Sequence, residues 1–198
     1  MKNVLLTGFG PFREHSVNPS QSVVERLNGK KIGGAKITGL TLPVSFGMDT
    51  ELAFVAIDAL KPCLVLSLGL NAGIDGLDLE MFAINHRYGA TDQDLIPIIP
   101  DGPAAYFASI DIETIVKAAP GTKAPIRKHS YAGSFLCNHI FYQTLHYTAS
   151  KQSNTKVGFV HIPLSTEQLV ADKSNTLPSL PLDVITDGIR FVIETVLE

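Results

Sequence analysis

The sequence predicts the α/β class, with a mainly parallel sheet covered by helices on both faces. Two observations carry this. Short apolar runs rich in Val, Ile and Leu recur between longer segments whose apolar residues follow helical spacing, the pattern of strands buried on both sides by crossover helices. The runs end near Gly, Pro or Asn, and several of the helical segments open on a serine or aspartate able to cap free amides.

Taken in order, the predicted strands are "NVLLTGF" (3–9), "KITGLTLPV" (36–44), "CLVLSLGL" (63–70), "DLEMFAIN" (78–85) and "VGFVHIPL" (157–164). The predicted helices are "SQSVVERLN" (20–28), "GMDTELAFVAIDALK" (47–61), "DIETIVKAA" (111–119), "SFLCNHIFYQTLHYTA" (134–149), "STEQLVAD" (165–172) and "LDVITDGIRFVIETVL" (182–197). Residues 86–103 mix charge, glycine and three prolines without a period and read as a long loop. "APGTKAP" (119–125) reads as a turn-rich connector, because regular patterns resume on both sides. No repeat or low-complexity tract interrupts the chain, and its 198 residues suit one domain over 1–198.

Composition removes several function classes. A hydrophobic share of 45% and a charged share of 18% describe a chain that buries a core. The net charge is only -3, with no dense basic run, so neither nucleic acid nor an anionic membrane is an expected partner. The apolar runs fall short of the roughly 18 to 20 residues that span a bilayer, and the first is too brief for a secretory signal. A cytoplasmic protein is expected. Cys63 and Cys137 are the only cysteines, which favours free thiols over a disulfide framework.

Cys137 poses the chemical question. It shares a helix face with Phe141, where a thiol is ordinarily inert core; yet it lies close to the start of that helix, where unpaired amides and the positive end of the dipole favour a thiolate and could also hold an oxyanion. Cys63 precedes a continuous apolar run and reads as core. Of six histidines, His161 interrupts an apolar strand near its carboxyl end, the edge at which open α/β sheets gather ligands. It reads either as a hydrogen-bonded core histidine or as the base that a nucleophilic thiol needs. His129, His139 and His146 read as surface residues, and His15 and His86 as loop residues. No pair has metal-site spacing, so no metal is predicted. A third group must orient such an imidazole; in "GLDLEMFAIN" alternation puts Glu80 on a face with Asp78 and Phe82, which also suits an ordinary exposed carboxylate. Phe9 and Phe12 lie between the first strand and first helix, as a core staple or an aromatic clamp.

Together the separated pieces resemble the pyrrolidone carboxyl peptidases, the cysteine-type pyroglutamyl peptidases. "LLTGFGPF" with "VNPS" (5–12, 17–20) resembles that family's opening signature, "GPAAYF" (102–107) a shared central piece, "SYAGSFLCNHIFY" (130–142) its nucleophile segment and "GFVHIP" (158–163) its histidine segment. The resemblance implies Cys137 as nucleophile, His161 as general base and then acid, and Glu80 as the group orienting His161. It implies that Phe9 and Phe12 sandwich a lactam ring while Asn18 shapes their loop. It further implies a single-domain α/β/α sandwich with an open, twisted, mainly parallel sheet, no cofactor, and homo-oligomers, often tetramers. The implied substrates are peptides with N-terminal pyroglutamate.

The chain departs from the family pattern at several points. Met81 follows Glu80 where arginine is usual, Leu70 stands where glutamine is often found, and "GATDQD" (89–94) replaces a segment like "ARIPDN", so Ala90 takes the place of an arginine that Arg87 would have to stand in for. The loop after Asn85 is shorter and richer in proline. Two other readings keep these changes in view: a related cysteine amidase acting on another cyclic or N-blocked amide, and a non-catalytic small-molecule binding module.

Overall fold

A computed structural model describes residues 2–11, 17–89, 91, 94–172 and 176–198. Phe12, His15 and Ala90 lie outside them. In chain order the elements are β1 (Lys2–Phe9), α1 (Pro19–Leu27), β2 (Lys31–Ile32), β3 (Ala35–Leu42), α2 (Met48–Leu60), β4 (Leu64–Leu70), β5 (Leu77–Ile84), β6 (Arg87–Tyr88), β7 (Leu95–Ile96), β8 (Ala105–Phe107), α3 (Ile112–Ala118), β9 (Ile126–Tyr131), α4 (Leu136–Ser150), β10 (Lys156–Ile162), β11 (Leu164–Ser165), α5 (Thr166–Asp172), β12 (Ser179–Leu180) and α6 (Leu182–Leu197).

Local chemistry sets several of these ends. Asn18 caps α1 by accepting from the Ser20 amide, and Pro19 opens the helix where its missing N–H is no loss. Asp111 caps α3 through the Thr114 amide at 3.1 Å. Helix α2 stops where Lys61 turns into the left-handed region at φ 45°.

The main sheet has the order β2-β3-β1-β4-β10-β5-β8, with β9 on the other side of β5. The pairs β3–β1, β1–β4, β4–β10 and β5–β9 are parallel, while β2–β3, β10–β5 and β5–β8 are antiparallel. Alternation along the strands sorts the core into two layers. Val4, Leu6, Leu66 and Val160 face α1, α3 and α6, whose inner residues include Val23, Ile115 and Ile189. Phe9, Val157 and Phe159 pack with Ile140 and Phe141 of α4 on the other face, where Leu5 and Val65 meet Ile57 of α2. The predicted α/β/α sandwich with its mainly parallel sheet is the observed architecture.

Two expectations need correction. Residues 86–103 are not wholly irregular, because β6 and β7 pair there as a short antiparallel ladder. Asn85 ties the following stretch down, bonding Ile99 through both its backbone groups and the Gly102 carbonyl. Strand β9 was not expected at all. Its only buried residue is Ile126, so the edge strand "IRKHSY" carries no apolar run to announce it.

The chain leaves β1 to pair β3 on one side and later returns to place β4 on the other. The carboxyl ends of β1 and β4 therefore flank a point where the winding reverses, the crevice in which open α/β sheets take up ligands.

Candidate active site

Helix α4 delivers the thiol. Gly133 turns the chain at φ +76°, Phe135 stands at the cap position without a side-chain cap bond, and the helix runs from Leu136. The amides of Leu136, Cys137 and Asn138 have no acceptor within the helix. Leu136, Ile140, Phe141 and Leu145 are buried, whereas Cys137 is half-buried. Asn138, fully buried, locks this first turn to the end of β5. Its Oδ1 accepts from the Ile84 N–H at 2.9 Å, and its Nδ2 donates to the Ile84 and His86 carbonyls at 2.9 and 2.8 Å.

The sulfur lies over β4. A Cβ at Gly69 would come within 2.7 Å of it and within 2.8 Å of the Phe159 ring, closer than such atoms approach. His161 sits opposite Gly69 in the β4–β10 register, near enough to Cys137 for the sulfur to act on its ring electrostatically. On its other side the His161 Nδ1 is 2.6 Å from Glu80 Oε1. A carboxylate can only accept, so Nδ1 carries the proton and Nε2 is left to face the sulfur. Glu80 is 0% exposed; the expectation of an ordinary exposed strand carboxylate does not hold, because β10 and β9 flank its strand and their imidazoles meet both its oxygens.

Burial alone would pull the His161 proton affinity down. The charge of the Cys137 sulfur and its hydrogen bond, followed by the hydrogen bond and charge of Glu80, outweigh that and raise its pKa from the ordinary 6.5 to about 10. His161 thus holds its proton at neutral pH, between the Cys137 sulfur and the Glu80 carboxyl group. Phe159 meets its ring edge-on, with centroids 5.0 Å apart, and holds its tilt.

A cavity of ≈ 90 Å³ opens beside the sulfur at the reversal point of the sheet. Phe9, Asn18, Val44, Leu70, Phe135, Leu136 and Cys137 line it, so its wall is almost wholly apolar. Phe9 is the last residue of β1 and buried. Asn18 is 3% exposed; its Nδ2 donates to the Gly10 carbonyl at 3.0 Å while its Oδ1 accepts from Ser20, which ties the end of β1 to the start of α1. Arg87 is held over the Phe46 ring at 4.8 Å and donates to the Tyr88 carbonyl.

The structure therefore brings Cys137, His161 and Glu80 into one line and sets Phe9 and Asn18 around the adjoining cavity. Three residues had escaped the sequence reading. Asn138 carries no signal beyond its place beside the cysteine. His139 is buried rather than on the surface, its Nδ1 3.0 Å from Asp49 Oδ2, because α2 packs across α4 there. His129 is half-exposed but reaches Glu80 Oε2 at 2.8 Å. A larger groove of ≈ 640 Å³ at the opposite end of the sheet holds Lys2, Asn3, Cys63 and Tyr147. No histidine lines it. Cys63 is half-buried at that edge rather than deep in the core, its sulfur 3.2 Å from the Asn3 carbonyl. Among the described residues no group of three or more His, Cys, Asp or Glu is arranged to hold a metal ion.

Known proteins resemble this chain along its whole length. A pyrrolidone-carboxylate peptidase of Halalkalibacterium halodurans is 37% identical over 197 residues, covering 96% of this chain and 97% of that one. Its counterpart from Pyrococcus furiosus is 32% identical over 204 residues and covers 98% of both. Among solved structures, the pyrrolidone carboxyl peptidase of Thermococcus litoralis superposes with a TM-score of 0.92 at 29% identity, covering 100% of this chain and 94% of that one. A mutant P. furiosus enzyme gives 0.91 at 30% identity, covering 98% of each. The pyroglutamyl peptidase family matches residues 2–198, and the chain belongs to that family.

Proposed function

We infer that this chain is a cysteine exopeptidase that removes N-terminal pyroglutamate from peptides. The single observation that carries the reading is the line from Cys137 through His161 to buried Glu80, ending at a small apolar cavity beside the sulfur. A pyroglutamyl terminus bears a neutral lactam, which such a cavity accepts. A peptide with a free ammonium would have to leave that charge unpaired in the same slot, at several kcal/mol, so selectivity arises partly by exclusion.

In this mechanism the Cys137 thiolate attacks the carbonyl that joins pyroglutamate to the next residue. The new oxyanion is met by the free amides at the start of α4. His161, oriented by Glu80 so that Nε2–H faces the sulfur, gives that proton to the departing amine as the C–N bond breaks and a thioester remains. Water then gives a proton to His161 and adds to the thioester, releasing free pyroglutamate and restoring the ion pair. Phe9, with Phe12, grips the ring, and Asn18 holds their loop. Every group in the sequence of steps belongs to the chain, so no metal or cofactor is called upon.

The reading extends to a cytoplasmic enzyme of one domain over residues 1–198 that assembles into homo-oligomers, with no nucleic-acid or membrane partner. No helix of the described residues is long and apolar enough to cross a membrane. Turnover of a fluorogenic pyroglutamyl amide under reducing conditions, abolished in Cys137→Ser and by alkylation, is the expected result. Cleavage of a different blocked amide with none of the pyroglutamyl one would favour the amidase reading. Binding without any turnover would favour the binding module.

A further inference from the structure

We propose that His129 is a positioning residue of the catalytic relay, holding the second oxygen of Glu80 so that its own protonation tunes how strongly that carboxylate supports His161. The proposal rests on the cysteine-peptidase reading above. Its ground is a shared carboxylate: Glu80 is 0% exposed, with Oε1 2.6 Å from His161 Nδ1 and Oε2 2.8 Å from His129 Nδ1. The two imidazoles stand on opposite sides of β5, since His161 belongs to β10 and His129 faces Glu80 directly in the β5–β9 register. One ring is sealed in the protein, at 9% side-chain exposure; the other is 49% exposed and in contact with solvent. The relay thus has an inner end at the sulfur and an outer end open to bulk water.

Most of the other charges around His129 are already engaged. On β9 itself, Arg127 binds Asp75 and Asp78, and Lys128 binds Glu113. From α3, which packs against β9, come that same Glu113 and Lys117. From β5 come Asp78, held by Arg127, and Glu80. Glu80 is therefore the charge that meets the His129 ring.

The consequence follows from electrostatics. A neutral His129 donates its Nδ1–H to Glu80 and leaves the carboxylate's full charge to His161. A protonated His129 places a second cation on the same carboxylate, which weakens the hold of His161 on its proton. His161 needs that proton to stabilise the thiolate and to release the amine. Acidification that protonates His129 should therefore lower turnover.

The test compares wild type with His129→Asn, which keeps a neutral N–H donor near the Nδ1 position, and His129→Phe, which keeps a ring without a donor. Turnover of a pyroglutamyl amide is measured from about pH 5 to 9, beside the His161 ring-proton signal by NMR and thermal unfolding as a fold check. Expected are a fall in kcat of about tenfold in His129→Phe with KM within about twofold, and recovery to within about threefold in His129→Asn. The wild-type His161 signal should follow a second titration besides its own, absent from His129→Asn. Unchanged kcat and profile in His129→Phe, equal loss in both variants, or a second titration that persists in His129→Asn would each overturn the proposal. The NMR arm reads Glu80–His161 coupling without substrate, so a failure of the peptidase reading shows up separately, as absence of wild-type turnover.

Discussion

Gly69 leaves the sulfur its place. With only 2.7 Å between an added Cβ and the Cys137 Sγ, and the Phe159 ring at 2.8 Å, Gly69→Ala must push the nucleophile off the line to His161. Misplacement by about an ångström costs on the order of 100-fold in rate, so kcat should drop at least that far while circular dichroism stays native. His161 is the other residue whose behaviour can be forecast. Because its pKa is raised to about 10, it keeps its proton through neutral and mildly alkaline pH, and kcat/KM should fall as pH rises through about 10 and the imidazolium is lost. The stability it contributes has the same sign: present in full below the ordinary 6.5, lost as pH rises through about 10. In Cys137→Ser the charge and hydrogen bond of the sulfur disappear while burial remains, so the His161 ring protons should titrate well below the wild-type value, as NMR can record.

Helix α4 and strand β5 form the rigid pair that carries the nucleophile and the carboxylate. Asn138 joins them with three hydrogen bonds from a fully buried amide. Asn138→Ala strands the Ile84 N–H and the carbonyls of Ile84 and His86, a cost of about 3 kcal/mol in unfolding free energy by denaturant titration. kcat should fall as well, since the first turn of α4 is then free to shift. The apolar period of α4 was legible in the sequence, and so was the start of the helix to within two residues. That β9 follows the connector at 119–125 was not, because an edge strand with one buried residue has no hydrophobic alternation to show. The burial of His139 was equally hidden. A histidine two positions after the cysteine looks polar and exposed until α2, packed across α4, brings Asp49 to it.

Across the whole molecule, the candidate site stands where the sheet's winding reverses, between the carboxyl ends of β1 and β4, with β10 and β5 supplying His161 and Glu80 in the next two strands. In the proposed mechanism all reacting groups come from the chain, so dialysis against a chelator should leave the turnover of the pyroglutamyl amide unchanged; a loss restored by added metal would contradict it. The sequence by itself determined the class of fold and the layers, because whether a segment buries one face or two is written in its own apolar period. It also determined which residues were candidates, through the types that nucleophilic catalysis requires. Only the tertiary structure decided that Glu80 and His161, 81 residues apart, would touch. That contact exists because β10 inserts between β4 and β5, a pairing set by which buried surfaces fit together over long loops and not by any local pattern. A different long-range pairing, β9 along the other side of β5, put half-exposed His129 on the second oxygen of Glu80.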